Sequence, residues 1–201
     1  MSGSVNSLKK QRLIVGISGA SGFSYGVQAL RFLRQAEIES HLVITQSAHL
    51  NREHETDLSE EDVMAMADVV HPIRAVGAAI SSGSFQTMGM LVAPCSMHSL
   101  AAIASGVTDN LLTRAADVVL KERRRLVLMV RETPLHAGHL RNMQQVTDCG
   151  GIIFPPVPAL YARPQSVEEI ISHSVARALG LFGVECAELP RWGETVSLNK
   201  E

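Results

Sequence analysis

Four residues with reactive or hydrogen-bonding side chains follow an apolar run near the middle of the chain. The segment LVAPCSMHSL, residues 91–100, passes through a proline and continues with Cys95, Ser96, His98 and Ser99. A cysteine three residues before a histidine can act as a thiolate with its base, or can form half of a metal site. Hydroxyl side chains at the start of a helix can instead surround an anion. Three chemistries are therefore open to this segment.

The first two chemistries need partners that the chain does not offer in a recognisable pattern. A metal site takes three or four ligands, and the similar spacing elsewhere is His136 with His139. A cysteine nucleophile needs a base and a third group that orients the base. We therefore predict that Cys95 is a small buried residue. Ser96 is predicted to cap a helix, either as ordinary capping or beside N–H groups that bind an anion.

A glycine-rich segment gives a second candidate anion site. Gly16, Gly19 and Gly22 are spaced three apart, with Ser18 and Ser21 between them. Small residues let backbone N–H groups approach a phosphate, and the helix that follows adds a partial positive charge. We interpret the segment as a phosphate loop, with a tight strand-to-helix turn as the alternative. The spacing is not that of the dinucleotide fingerprint, which argues against a nicotinamide dehydrogenase.

Charged residues follow a later apolar run. Arg131 and Glu132 stand directly after RLVLMV, where an arginine can grip a phosphate and a glutamate can move a proton. A structural ion pair is the alternative. Along a predicted helix, Arg114, Asp117 and Lys121 share one face. They form either a solvated ladder of charges or a contact to an anion.

These residues are placed by apolar runs that alternate with helical patterns. Such alternation predicts one open α/β domain, in which a parallel sheet is covered by helices on both faces. Ligands bind beyond the carboxyl ends of the strands, where Thr45 and Tyr161 also stand. Thr45 is either a ligand contact or a helix cap, and Tyr161 either a ligand contact or a core residue. Strands are predicted at 12–17, 40–45, 89–94, 125–130 and 151–155, and helices at about 23–35, 59–67, 97–105, 109–122, 137–148 and 166–182.

Composition limits the classes of function. The 201 residues are 46% hydrophobic and 19% charged, which predicts a folded protein with its own core. A net charge of −2 requires any phosphate site to be local, and 4% aromatic residues argue against a base-stacking surface for nucleic acid. No apolar run reaches the roughly 20 residues of a membrane span. Three widely spaced cysteines predict reduced thiols and a cytoplasmic location, and residues 1–11 are predicted to be a flexible tail.

Taken together, the motifs resemble the UbiX/Pad-type flavin prenyltransferases, a family formerly described as aromatic acid decarboxylases. The matching segments are GISGASG, ETD, ISSGSFQTMGMLVAPCSM, DNLLTRAADVVLKERR, LVLMVRETPLH, HLRNM, PPVPALYARPQS and PRWG. The resemblance implies a flavodoxin-like (Rossmann-like) fold, a homo-oligomer that is commonly a dodecamer, and bound FMN. It implies transfer of a dimethylallyl group from dimethylallyl phosphate to N5 and C6 of reduced FMN. The prenylated FMN would serve a UbiD-type decarboxylase, and no metal is implied.

The resemblance also implies roles for individual residues. Residues 12–185 would form the flavin-binding domain, and residues 186–201 a segment that closes the site. The implied catalytic residues are Glu55, Lys121, Glu132 and Ser21. FMN would be held by Gly19, Ala20, Ser21, Thr45, Ser96, Met97, His98, Ser99 and Arg131. Dimethylallyl phosphate would be bound by Arg131, Tyr161, Arg177, Arg114, Trp192 and Lys121, with Lys121 reaching from a neighbouring part of the assembly.

Three positions depart from the family pattern. His98 stands where the family often has Lys or Thr, Gln46 where Lys is common, and Leu160 where Phe is usual. The first two remove fixed positive charge and the third removes an aromatic wall. Two alternatives stay open: an FMN-dependent decarboxylase of the cysteine-decarboxylase type, and a flavin carrier without chemistry of its own. The first is expected to carry a PASANT-like motif, whereas this chain reads PCSMHS.

Overall fold

The computed structural model describes residues 11–186, which contain a six-stranded sheet with helices on both faces. The strands are β1 (Arg12–Ile17), β2 (Glu39–Ile44), β3 (Val69–Val70), β4 (Gly89–Cys95), β5 (Arg125–Val130) and β6 (Ile152–Ile153). The helices are α1 (Phe23–Gln35), α2 (Gln46–Glu55), α3 (Glu60–Met64), α4 (Met97–Ala104), α5 (Leu111–Lys121), α6 (Ala137–Asp148) and α7 (Val167–Gly180). Short 3₁₀ turns lie at Ala79–Ser81 and Leu160–Ala162. None of the helices in residues 11–186 combines the length and the apolar character needed to cross a bilayer.

The strand order is β3-β2-β1-β4-β5-β6, and all neighbouring strands are parallel. The chain winds outward from β1 to β3 and then returns to place β4 on the other side of β1. The direction of winding therefore reverses between β1 and β4, where ligands bind in open α/β sheets. If the two-residue β3 is set aside, the order of the other five strands is that of flavodoxin.

Both faces of the sheet are buried. Leu13, Val15 and Ile17 of β1 pack into a cluster with α1 and α7. Ile14 points the other way, into a cluster with α4, α5 and α6. Because residues on both faces are apolar, the strands appear in the sequence as continuous apolar runs rather than as alternating patterns.

The predicted elements are confirmed, with differences at their ends. The helix predicted at 59–67 begins with a capping box formed by Ser59 and Asp62, and it ends at Met64 rather than at 67. The strand predicted at 151–155 has ladder partners only at Ile152–Ile153, because the two prolines that follow have no N–H to donate. β3 was not predicted, because a strand of two residues is too short to show a periodic pattern of apolar residues.

Candidate active site

Ser18 joins the loop after β1 to the loop after β4. Its hydroxyl donates to the carbonyl of Pro94 at 3.1 Å and accepts the N–H of Ser96 at 2.8 Å. Its own N–H also donates to Pro94, at 3.1 Å. Ser18 is 1% exposed. The two loops at the switch point are therefore held at a fixed separation by one buried side chain, which the sequence indicated only as part of the glycine segment.

Ser96 is the N-cap of α4. Its hydroxyl accepts the N–H of Ser99 and donates to the Ser99 hydroxyl, both at 3.2 Å, and both residues are buried. The capping interpretation is thus confirmed for the Ser96 side chain. The first N–H groups of a helix have no carbonyl partner within the helix. Within residues 11–186 the N–H groups of Met97 and His98 find no other partner, so they can bind an anion or a flavin edge.

Cys95 is buried in the apolar cluster beneath α4, as predicted. Burial raises the pKa of its thiol to about 12, so the thiolate needed for nucleophilic attack is not formed near neutral pH. His98 is exposed at the start of α4. Among the residues that the structure describes, no three His, Cys, Asp or Glu side chains are grouped as metal ligands.

Glu55 lies at the start of α1, although it belongs to the end of α2. One carboxylate oxygen, Oε2, accepts the N–H groups of Gly22 and Phe23, both at 2.8 Å. Gly22 has no side chain to cap the helix, and its φ of +107° suits glycine. Because the Glu55 carboxylate already accepts the N–H groups of Gly22 and Phe23, a phosphate bound by this loop would have to use other N–H groups. Within the described residues, those of Gly19 and Ser21 have no partner.

Thr45 caps α2 beside the glycine segment. Its N–H donates to the carbonyl of Ile17 at 3.0 Å, and its hydroxyl accepts the N–H of Ala48 at 3.3 Å. The same hydroxyl lies 3.2 Å from that of Ser47. A Cβ atom on Gly19 would lie 2.2 Å from the Ser47 hydroxyl oxygen, so only glycine allows this close approach. The capping role of Thr45 is confirmed, and the ligand contact stays a prediction.

Arg131 connects the end of β5 to the same loops. Its backbone N–H donates to the carbonyl of Cys95 at 3.2 Å, and its side-chain Nε donates to the carbonyl of Ser21 at 3.1 Å. The guanidinium carbon lies 5.8 Å from the centre of the Tyr25 ring, a cation–π contact. Its two terminal nitrogens remain for an anion. Within residues 11–186 Arg131 forms no ion pair, so the structural ion-pair alternative with Glu132 is not supported.

A cavity of about 390 Å³ opens between these loops and the proline-rich segment. One wall is apolar and the other carries the polar side chains of three predicted site residues. Such a mixed lining suits a ligand with an apolar chain and an anionic group. The lining residues are Ser21, Val130, Arg131, Glu132, Thr133, Pro155, Pro156, Val157 and Pro158.

Lys121 and Arg114 lie away from this cavity. Lys121 ends α5 shortly before β5 begins, so it lies near the amino-terminal edge of the sheet. It pairs with Glu122, close to Gly83. Arg114 pairs with Asp117 at 2.8 Å on the surface of α5. Arg114 and Asp117 thus form the ion pair expected of a ladder, whereas Lys121 pairs with Glu122 instead. The anion contact of Arg114 and Lys121 stays a prediction.

Tyr161 and Arg177 lie beyond the proline-rich wall. Tyr161 is 41% exposed, and its hydroxyl lies 3.5 Å from Nε2 of His173 on α7. Arg177 is exposed one turn further along α7. Leu160, which replaces the usual aromatic residue, is 72% exposed. Trp192 lies outside the described residues.

Residues 1–179 match the sequence model of the family named Flavoprotein. The flavin prenyltransferase UbiX of Neisseria meningitidis serogroup B is 60% identical over 90% of this chain and 96% of its own length. The chain belongs to the UbiX flavin prenyltransferase family. The resemblance drawn from the sequence motifs is thereby confirmed.

Two solved structures of UbiX proteins share the fold. One, crystallised with FMN and dimethylallyl pyrophosphate, has a TM-score of 0.91 at 49% identity and covers 92% of this chain and 98% of its own. The other, a dodecameric FMN-dependent UbiX-like decarboxylase from Escherichia coli O157:H7, has a TM-score of 0.88 at 48% identity. It covers 90% of this chain and 99% of its own. The predicted flavodoxin-like parallel sheet is confirmed.

Proposed function

We propose that this chain transfers the dimethylallyl group of dimethylallyl phosphate to N5 and C6 of reduced FMN. The observation that carries the proposal is the cavity at the carboxyl end of β5, which brings Ser21, Arg131 and Glu132 together. Hydrogen bonds join this cavity to both loops at the topological switch point. Membership of the UbiX family supports the same reaction.

The groups around the switch point fit FMN. The N–H groups of Gly19, Ser21, Met97 and His98 have no partner within residues 11–186, so they can donate to phosphate and flavin oxygens. The Thr45 hydroxyl lies at the same edge of the sheet. When bound and reduced, FMN supplies the electron-rich nitrogen and carbon that attack the allyl group. The loops fix the position of this nucleophile, and fixed proximity accounts for much of the rate in such a transfer.

The chain's charges suit the leaving group. Negative charge develops on the phosphate as the allylic C–O bond breaks, and the terminal nitrogens of Arg131 can stabilise it. Tyr161 and Arg177 are proposed to bind the same phosphate. Glu132 is exposed at the cavity, and its Oε1 accepts the N–H of Thr133 at 3.0 Å. The other oxygen can accept the proton that leaves when the ring closes at C6.

Glu55 and Ser21 have positions that suit a role beside the reacting atoms. Oε2 of Glu55 caps α1, which also places Oε1 of the same carboxylate at the carboxyl end of the sheet. The carbonyl of Ser21 is bonded to Arg131, which leaves the hydroxyl at the lining of the cavity. Both are proposed to orient substrate.

Lys121 is proposed to serve a neighbouring subunit, because it lies at the opposite edge of the sheet from the cavity. Arg114, on the same helix, is proposed to accompany it. An oligomer, proposed to be a dodecamer, would also cover large apolar side chains that one chain exposes. Examples are Leu140, Val157 and Val167, which are 54%, 75% and 65% exposed.

The remaining parts of the proposal concern the chain's ends, product and compartment. Residues 1–11 are proposed to be a tail, residues 12–185 the flavin-binding domain, and residues 186–201, with Trp192, the segment that closes the site. Prenylated FMN is proposed to pass to a UbiD-type decarboxylase. A cytoplasmic location is proposed because Cys95, Cys149 and Cys186 form no disulfide.

The test is anaerobic incubation of the protein with reduced FMN and dimethylallyl phosphate, followed by mass spectrometry of the released flavin. The expected result is a flavin heavier by one five-carbon unit, and a parallel sample with dimethylallyl diphosphate reports the leaving-group preference. Arg131→Ala serves as the matched inactive control. An unchanged flavin mass with both donors would overturn the proposal, and tight FMN binding in that case would point to a flavin carrier.

A further inference from the structure

His173 lies beside one residue that the proposed function gives to the substrate phosphate, and one helical turn before another. Its Nε2 is 3.5 Å from the Tyr161 hydroxyl, and the two rings meet edge to face, with centroids 5.8 Å apart and planes at 83°. Arg177 follows four residues later on α7, so the two side chains share a helix face. We propose that His173 is a positioning residue that fixes Tyr161 for binding the phosphate of dimethylallyl phosphate. This inference rests on the proposed function and names a residue that it does not include.

Tyr161 needs such support because of where it stands. It belongs to a 3₁₀ turn of three residues that follows the proline-rich wall, and its side chain is 41% exposed. An exposed tyrosine on a short turn has several rotamers open to it, and ordering it on binding costs free energy. The edge-to-face contact with His173 restricts the ring before the substrate arrives.

The orientation of the Tyr161 hydroxyl also affects how it binds the phosphate. A tyrosine O–H carries one proton and can accept further hydrogen bonds. When Nε2 of His173 carries a proton, it donates to the tyrosine oxygen, and this contact does not use the tyrosine proton. The imidazole thus acts on substrate affinity through Tyr161. It does not touch the reacting atoms, so its loss should raise KM and leave kcat nearly unchanged.

Two substitutions separate the hydrogen bond from the ring contact. His173→Phe keeps an aromatic ring and removes the donor. His173→Gln removes the ring and keeps an N–H donor at similar reach. We expect His173→Phe to raise KM for dimethylallyl phosphate about fivefold, the size of one lost neutral hydrogen bond, with kcat within about twofold. His173→Gln is expected to restore at least half of the affinity.

The decisive measurement is a double-mutant cycle with Tyr161→Phe. Because His173 acts through the tyrosine hydroxyl, His173→Phe should have no further effect on KM when that hydroxyl is already absent. The dissociation constant for FMN and the melting temperature should equal those of the wild type. Additive effects in the cycle, or a parallel loss of FMN affinity and melting temperature, would overturn the proposal in favour of a structural role.

The same cycle is repeated with dissociation constants from calorimetry, in which dimethylallyl phosphate is titrated into the FMN-loaded protein. This measurement needs no turnover. A wild type that binds this compound without transferring its prenyl group contradicts the proposed function, while the cycle still decides the role of His173. A wild type that does not bind it contradicts both. Ser172→Ala, on the same helix, is the control and should change none of these constants.

Discussion

Replacement of Ser18 by alanine removes the side chain that joins the two loops at the switch point. The N–H of Ser96, now bonded at 2.8 Å, would be left buried without a partner, which costs about 1–3 kcal/mol. Loss of the bond to the Pro94 carbonyl adds about 1 kcal/mol. We therefore expect a loss of about 2–4 kcal/mol in the free energy of unfolding. For a chain of this size the melting temperature should fall by about 4–16 °C.

FMN binding should weaken as well, because both of the loops that Ser18 joins carry N–H groups that have no partner within residues 11–186. We expect the dissociation constant for FMN to rise about tenfold, which corresponds to about 1.4 kcal/mol. The assays are thermal unfolding with and without FMN and fluorescence titration with FMN. One protein concentration is used throughout, because the melting temperature of the proposed oligomer would depend on concentration.

The control is Ser105→Ala. Ser105 is exposed at the end of α4, and no hydrogen bond of its hydroxyl occurs within residues 11–186. A surface change of this kind should alter stability by less than about 0.5 kcal/mol. If Ser18→Ala has the melting temperature and the FMN dissociation constant of the wild type, the argument that one buried hydroxyl sets the separation of the loops is refuted.

Three further predictions concern single residues. Glu132→Gln should slow ring closure at C6 roughly 100-fold, since it removes the proton acceptor, so that flavin prenylated at N5 alone accumulates. The open and ring-closed flavins have the same mass, so they are separated by chromatography and distinguished by their absorbance spectra; ring-closed product at the normal rate would contradict this role. Iodoacetamide at pH 8 should alkylate exposed Cys149 and spare Cys95, whose buried thiol has a pKa of about 12; peptide mapping that finds both modified would show that the core opens readily. Co-expression of Lys121→Ala with Glu132→Gln should give mixed oligomers more active than either variant alone, and no gain would mean that Lys121 does not serve a neighbour.

The sheet and most of its helices could be predicted because their signals are local. Continuous apolar runs indicated the four longer strands, and Ser59, Ser96 and Ser166 marked the starts of helices that they cap in the structure. The short strand β3 forms where β2 already offers hydrogen-bond partners. That opportunity belongs to the tertiary structure and leaves no pattern in two residues.

The candidate site was predictable in its residue types and less so in its contacts. Arg131 and Glu132 could be assigned to the site because they directly follow β5, and ligands bind beyond the carboxyl ends of parallel strands. That Gly22 donates to Glu55, or that Ser96 donates to Ser18, depends on contacts between residues 33 and 78 positions apart. Likewise, Lys121 and Arg131 are close in sequence, but α5 and β5 place them at opposite edges of the sheet.

The cap that Glu55 supplies to α1 has a consequence for the order of folding. The N-cap of α1 is Gly22, and the first turn of α1 holds no acidic residue, so neither a side-chain cap nor a negative charge within α1 stabilises its start. We therefore expect the start of α1 to become stable only when α2 has docked and Glu55 has reached it. The glycine segment that precedes α1 therefore takes its final shape late, after β1, α1, β2 and α2 have assembled as one unit. A nascent chain that ends before residue 55 would hold the strand and the helix but not a finished flavin loop.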